Sequence, residues 1–188
     1  ARNADRLTNL VTDLLDMARL QTGHLTLTCE LTDVHPIVRA CVSGLRPLIE
    51  QKGQKLTVSV PTELPRIIAD RKRVEQVITN LLSNAHYYTP QGGNINLSVG
   101  AIDGELRFTV SDDGPGIPDI EQAMQPGYST APDWIRELGF GAGMGLFNIK
   151  RCSDQMMLDS RVGVGTRLEM LFFPKEEMVF GNSSPNTA

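Results

Sequence analysis

Three closely spaced glycines open an apolar helix late in the sequence, an arrangement typical of phosphate binding. They lie in Gly141-Ala-Gly-Met-Gly-Leu146. The first turn of a helix presents free N–H groups and the positive end of the helix dipole, and glycines leave room for a triphosphate. No Gly-Lys-Ser/Thr triplet follows and no strand directly precedes, so neither the P-loop nor the dinucleotide fingerprint fits. The alternative interpretation of these glycines is a hinge.

A carboxylate and two glycines follow one another at the end of a predicted strand. Asp112 is followed by Asp113-Gly-Pro-Gly-Ile117. A carboxylate in this position accepts a hydrogen bond from the exocyclic amine of adenine, worth about 1.5–3 kcal/mol, and it rejects guanine, which places an acceptor there. Gly114 and Gly116 let the backbone approach the base closely. An ordinary turn is the alternative.

Two asparagines lie four residues apart on a predicted helix. Asn80 and Asn84 therefore share one helix face, next to the apolar Leu81 and Leu82. Magnesium takes oxygen ligands and commonly accepts only one or two from protein, the rest coming from phosphate and water. An amide oxygen on this face suits such a site. A polar pair that faces solvent is the alternative.

A fourth short segment, Gly163-Val-Gly-Thr166, indicates a tight turn into a strand. Thr166 is predicted to bond Asp112 or a water beside the base. A plain hairpin turn explains the same residues.

Hydrophobic periodicity predicts the elements that position these residues. Asp33 is expected to cap one helix, whose periodicity places Leu45 and Leu48 on its buried side, and Asp103-Gly104 is expected to close a hairpin. The predicted helices are 2–21, 34–51, 71–86, 119–124 and 144–156, and the predicted strands are 25–31, 55–60, 67–69, 94–101, 105–112, 158–162 and 166–173. The first helix carries an apolar seam, which predicts a protruding helix that pairs with others; a core helix is the alternative.

Composition excludes several classes of protein. The formal net charge of -4, without a run of Lys or Arg, argues against a nucleic-acid partner. No apolar run reaches the ~18 residues of a membrane span and no signal peptide is visible, which predicts a cytoplasmic location. The widely spaced Cys29, Cys41 and Cys152 are interpreted as reduced core thiols. The sequence opens in mid-pattern at Ala1, so we expect a fragment of a longer protein.

Taken together and in this order, the four segments resemble the catalytic ATP-binding domain of sensor histidine kinases. Residues 74–85 with Tyr88-Thr-Pro90 resemble its N box, residues 110–118 its first glycine box and residues 141–146 its second. The resemblance covers about residues 1–175 and implies an α+β fold. This fold is a two-layer α/β sandwich, a mixed sheet of about five strands with three helices on one face, preceded by the protruding helix. Residues 1–22 then resemble the second helix of a dimerisation hairpin, 23–175 the ATP-binding catalytic domain, and 176–188 are expected to be a disordered tail.

The resemblance also implies ligands, partners and residue roles. ATP and Mg²⁺ are the implied cofactors, with Mg²⁺ on Asn84, assisted by Asn80, and with adenine on Asp112. The implied partners are a histidine-bearing hairpin, a response regulator and a second copy of the full-length protein. The expected site residues are Asn80, Asn84, Tyr88, Asp112, Gly114, Gly116, Ile117, Gly141, Gly143, Met144, Gly145, Leu146 and Thr166.

Three departures from the family pattern stand out. The phosphoacceptor histidine has no counterpart, because His24, His35 and His86 lie in other contexts and are interpreted as surface or structural residues. Tyr87 stands where the family usually places Lys or Arg. Residues 123–131 and 138–156 resemble the lid of anti-sigma-factor serine kinases rather than the usual Phe-rich lid.

Asn80 decides between the chemistries that this mixture allows. Serine is a poor nucleophile that needs a positioned base, and the serine kinases and ATPases of this superfamily carry Glu where this sequence has Asn80. An amide is no useful base, whereas a neutral imidazole needs none near pH 7. The sequence therefore favours histidine phosphorylation with weak ATP hydrolysis. The alternatives are an anti-sigma-type serine kinase or ATP-dependent protein-binding switch, and a nucleotide-sensing module without catalysis.

Overall fold

A computed structural model describes residues 28–131 and 143–173 of the 188-residue chain. The predicted helix at 2–21, Gly141 and the predicted tail at 176–188 lie outside the described residues. The first strand was expected at 25–31; within the described residues it covers β1 (Glu30–Thr32) only.

Five strands form one mixed sheet, as the resemblance implies. They are β2 (Lys55–Ser59), β4 (Asn94–Ile102), β5 (Glu105–Asp112), β6 (Gln155–Arg161) and β7 (Gly165–Phe172), in the order β2-β4-β5-β7-β6. The β2–β4 pair is parallel and the other pairs are antiparallel. A separate antiparallel pair joins β1 to β3 (Ile67–Ala69).

The two long helices begin at capping carboxylates. Asp33 accepts the His35 N–H at 2.9 Å at the start of α1 (Val34–Gln51). Asp70 accepts the Lys72 N–H at 3.0 Å at the start of α2 (Arg71–Tyr88). Such caps satisfy N–H groups that have no partner within the helix. The short α3 (Ile120–Ala123) and α4 (Gly145–Cys152) follow.

One face of the sheet is covered by helices. Side chains of β4 alternate, with Ile95, Leu97 and Val99 buried and Asn94, Asn96 and Ser98 exposed. The buried set joins the apolar faces of α1, α2 and α4 in one core, which includes Ile37, Ile49, Ile78, Leu82, Phe108, Ile149 and Met170. The two-layer α+β sandwich is thereby confirmed.

The helix expected at 144–156 ends at Cys152. The Ser153 hydroxyl donates to the Ile149 carbonyl at 2.9 Å, and the Asp154 N–H donates to Leu171 of β7 at 3.0 Å. These bonds end the helix and start β6, where Met156 pairs with Met170. The apolar residues after Cys152 thus satisfy a strand pattern through pairing with β7, which helical periodicity does not reveal.

Two expectations about burial also need correction. Cys29 is exposed and Cys152 is half-buried, so of the three cysteines only Cys41 is a core thiol. Leu48, placed on the buried face of α1 by periodicity, is 44% exposed, and Ile49 is buried in its stead. No helix within residues 28–131 and 143–173 has both the length and the apolar character that a membrane crossing requires.

Candidate functional site

The asparagine pair of α2 faces the first residue of α4. Asn80 and Asn84 are half-buried. A Cβ added to Gly145 would lie 3.4 Å from Asn84 Nδ2 and 4.0 Å from Asn80 Cβ. The asparagine pair and the start of α4 are about sixty residues apart in sequence. They meet where α4 presents its free N–H groups. Helix dipole, free donors and amide side chains lie together, as an Mg²⁺–phosphate group requires.

Gly143 connects α4 to the segment that precedes the undescribed residues 132–142. Its φ of +74° is a left-handed conformation, and a Cβ there would lie 2.5 Å from the Tyr128 carbonyl oxygen. The Gly127 N–H donates to the Gly143 carbonyl at 3.1 Å. Close backbone packing and positive φ both require glycine here. Met144 is buried next to it, and Leu146 packs against the core.

Asp112 lies at the end of β5 and is half-buried. Burial raises the pKa of its carboxyl, the charge of Asp113 adds to this, and the N–H groups of Gly114 and Thr166 act against it. Asp112 Oδ1 accepts the Gly114 N–H at 2.8 Å. A Cβ on Gly114 would lie 2.5 Å from that oxygen, so glycine is needed for the bond. A desolvated carboxylate of this kind favours further hydrogen-bond donors, such as an exocyclic amine.

The loop after Asp112 rests on the turn between β6 and β7. Gly116 has a φ of +74°, and a Cβ there would overlap the backbone of Arg161. The Gly163 N–H donates to the Pro115 carbonyl at 2.8 Å. The segment at residues 112–117 and the segment at residues 163–166 are therefore in direct contact.

Ser160 joins these two segments, although no sequence pattern predicts its role. Its hydroxyl accepts the Ile117 N–H at 2.8 Å and lies 2.9 Å from Thr166 Oγ1. Thr166 bonds Asp112, as one of its two predicted interactions, through its backbone N–H. Its hydroxyl instead lies against Ser160, its neighbour in the β6–β7 register. Ser160 carries no sequence signal, because its position depends on strand register.

Tyr88 links the loop after Asp112 to the segment before residue 132. Its hydroxyl lies 3.3 Å from Thr130 Oγ1. Its carbonyl oxygen would lie 3.5 Å from a Cβ on Gly114. The last turn of α2 therefore borders both the loop after Asp112 and the segment that contains Thr130.

More than half of the chain matches a known protein family. Residues 69–177 match the sequence profile of the family described as "Histidine kinase-, DNA gyrase B-, and HSP90-like ATPase". The chain belongs to this ATPase family. The predicted resemblance to its sensor histidine kinase members is confirmed, and so is the α+β fold.

Similar proteins are sensor kinases. The chain is 36% identical over 161 residues to the adaptive-response sensory kinase SasA of Thermosynechococcus vestitus, covering 84% of this chain and 42% of the relative. The chain therefore spans less than half the length of this relative. Full-length ShkA in complex with AMPPNP has a TM-score of 0.71 at 28% identity, covering 90% of this chain and 36% of that one. Histidine kinase ThkA in complex with response regulator protein TrrA has a TM-score of 0.66 at 21% identity, covering 93% and 49%.

The structure shows the surroundings of the residues that depart from the expected family pattern. Burial raises the pKa of Tyr87 to about 12, so its side chain is neutral at physiological pH. Arg151 stacks over the Phe147 ring at 5.7 Å from its centroid. His35 bonds Asp33 and the Pro61 carbonyl, and buried His86 bonds Gln54, which agrees with structural roles for both. His24 lies outside the described residues.

The described residues fit the expected form of an Mg²⁺ site. None of them forms a cluster of three or more His, Cys, Asp or Glu that would hold a metal alone. The Asn80–Asn84 face offers amide oxygens beside the start of α4, where a Cβ on Gly145 would lie 3.4 Å from Asn84 Nδ2. Such a site takes its remaining ligands from the nucleotide and water.

Proposed function

We propose that this chain is the ATP-binding catalytic region of a sensor histidine kinase and that it transfers the γ-phosphoryl group of Mg-ATP to a histidine on a helical hairpin. The observation that carries the proposal is the approach of Gly145 to Asn84 and Asn80. It joins a phosphate-binding helix start to amide ligands for a divalent cation. Family membership of residues 69–177 supports ATP as the nucleotide.

Different residues would bind the adenine, the phosphates and the Mg²⁺ ion. Asp112 and the Gly114–Gly116 loop would hold adenine, and Tyr88, Ile117 and Thr166 would border it. Gly143, Met144, Gly145 and Leu146 would bring the backbone of α4 to the phosphates. Asn84, assisted by Asn80, would hold Mg²⁺, which supplies charge neutralisation on the phosphate oxygens. Catalysis in this arrangement is mostly positioning and electrostatic stabilisation.

Asn80 favours histidine over serine as the acceptor. It faces Gly145 beside the expected γ-phosphate, and an amide accepts no proton from a hydroxyl nucleophile. Glu75 lies more than one turn back on α2 and is exposed, so it is poorly placed to substitute. A neutral imidazole attacks without a base. Slow hydrolysis of free ATP follows from the same feature.

The partners follow from relatives. ThkA forms a complex with the response regulator protein TrrA, and we propose a response regulator as the downstream partner of this chain. We also propose that residues 1–22 are the second helix of a hairpin through which two copies of the full-length protein dimerise.

Phosphotransfer to a separate hairpin tests the function. The chain is mixed with ATP radiolabelled on the γ-phosphate and with a histidine-bearing helical hairpin from a similar sensor kinase, and the label is tested for acid stability. We expect acid-labile label on the hairpin and none when its histidine is replaced by Ala. Acid-stable label on serine of a partner would support the anti-sigma-type alternative. ATP binding without transfer to any hairpin would leave a nucleotide-sensing module.

A further inference from the structure

The carboxyl end of α2 is held by a side chain that follows α1. Lys52 Nζ donates to the His86 carbonyl at 2.8 Å and to the Tyr87 carbonyl at 2.9 Å. The last carbonyls of a helix have no intrahelical partner, and a cation there also opposes the negative end of the helix dipole. Lys52 thus fixes the end of the helix that carries Asn80, Asn84 and Tyr88.

Gln54 adds a buried amide to the same turn. Its side chain is 4% exposed. Its Nε2 donates to the carbonyls of His86, at 2.9 Å, and Thr89, at 2.6 Å, while its Oε1 lies 2.7 Å from His86 Nδ1. Burial and the charge of Lys52 lower the pKa of His86, so the neutral ring donates Nδ1–H to Gln54. Loss of the amide would remove the hydrogen-bond partner of the Thr89 carbonyl and of the buried His86 Nδ1–H, which is costly.

This turn adjoins the proposed adenine site. The Tyr88 carbonyl lies against Gly114, whose N–H holds Asp112 Oδ1. The Tyr88 hydroxyl reaches Thr130. A shift of the α2 terminus would therefore be transmitted to the carboxylate through Gly114. Among the described residues, no hydrogen bond joins Gln54 or His86 to Asp112 or Gly114, and the Tyr88 backbone is the link between them.

We propose that Gln54 and His86 form a positioning pair. By holding the last turn of α2, at Tyr88, against Gly114, the pair positions the Asp112 carboxylate to accept a hydrogen bond from the exocyclic amine of adenine. The proposal rests on the proposed nucleotide site and adds a determinant of base specificity to it. Because the pair acts on the carboxylate, it should affect ATP, which offers the exocyclic amine, more than ITP, which has a carbonyl oxygen in its place.

Two matched substitutions by leucine test the pair. Affinities for Mg-ATP and Mg-ITP are measured by calorimetry on the full chain carrying Gln54→Leu or Gln51→Leu. Gln51 is the exposed last residue of α1. We expect Gln54→Leu to weaken ATP binding about tenfold with little change for ITP, the size of one lost hydrogen bond to a charged group. Gln51→Leu should leave both affinities unchanged.

A second pair of variants separates positioning from stability. His86→Asn keeps an N–H donor near the Nδ1 position, and His86→Leu removes it. We expect the ATP-to-ITP preference to fall in His86→Leu and to return in His86→Asn. If Gln54→Leu and His86→Leu both lower the melting temperature but leave the ATP-to-ITP preference unchanged, the two residues have a purely structural role. This result would overturn the positioning role of the pair and leave the proposed function standing. Absence of ATP binding by the unsubstituted chain would overturn the proposed function, and the pair's role with it.

Discussion

At the scale of single residues, Asp112 shows how a binding group differs from a stabilising one. Burial raises the pKa of its carboxyl above the ordinary value of 3.8. Between that value and the raised pKa, the native state binds more protons than the unfolded state, so the contribution of Asp112 to stability falls as pH rises through this window. At neutral pH the charge is therefore a cost to the fold without nucleotide.

Replacement of Asp112 should separate stability from binding. We expect Asp112→Asn to raise the melting temperature of the nucleotide-free chain at pH 7, because the desolvated charge is removed while an oxygen stays available to the Gly114 N–H. ATP affinity should fall about tenfold or more, since a hydrogen bond to a charged group is lost. Calorimetry and thermal melts measure both. Asp159→Asn, on an exposed residue of β6, is the control and should change neither. Unchanged ATP affinity in Asp112→Asn would mean that adenine lies elsewhere.

Asn80 accounts for the expected weakness of ATP hydrolysis. Asn80→Glu supplies a carboxylate base facing Gly145, and we expect hydrolysis to rise, measured as phosphate release under saturating Mg-ATP. Asn80→Gln has the same length without the base and should not show the increase. If hydrolysis by Asn80→Glu stays at the level of Asn80→Gln while ATP still binds, the interpretation of Asn80 is wrong.

At the scale of elements, the two described glycines at the start of α4 have different reasons to be glycine. Gly143 has a positive φ and packs on the Tyr128 backbone, so Gly143→Ala should destabilise the chain by about 1–2 kcal/mol from backbone strain alone. Gly145 is helical with room for a methyl group, so Gly145→Ala should stabilise by about 0.4–1 kcal/mol. The same methyl would stand between α4 and Asn84, and ATP affinity should fall.

Urea unfolding and ATP titration of both variants measure these effects. The opposite signs for Gly145→Ala, a more stable chain that binds ATP less well, are the informative result. A Gly145→Ala variant with unaltered ATP affinity would show that the phosphates do not lie between Gly145 and Asn84.

Elements with a local signal could be predicted from sequence. The Asp33 cap and the apolar face predict the bounds of α1, and the Asp103-Gly104 turn predicts the start of β5. The glycines before α4 predict a helix start, and Gly145 at that start lies next to Asn84. The end of α4 could not be predicted, since residues 155–156 become a strand only through pairing with β7. The Ser160–Thr166 contact depends on register between two strands, and the Gln54–His86 contact on packing between two helix ends; neither leaves a periodic trace.

At the scale of the whole molecule, the candidate site is assembled from distant parts of the chain. Asn80 and Asn84 come from α2, Asp112 from the end of β5, Gly145 from α4, and Ser160 and Thr166 from the last two strands. Mixed strand order brings these parts together, because β5 lies at the centre of the sheet beside β7. A site of this kind exists only in the folded chain, so ATP should raise its melting temperature.

Binding of ATP with and without magnesium tests the central claim most directly: that the four sequence segments form one Mg-ATP site with Asn84 at its metal. Calorimetry would compare the unsubstituted chain with Asn84→Ala, each with Mg²⁺ and with a chelator. We expect ATP to bind the unsubstituted chain, Mg²⁺ to strengthen this binding, and Asn84→Ala to remove most of the Mg²⁺ dependence. A chain that binds no ATP, or an Asn84→Ala variant with the full Mg²⁺ dependence, would contradict this claim.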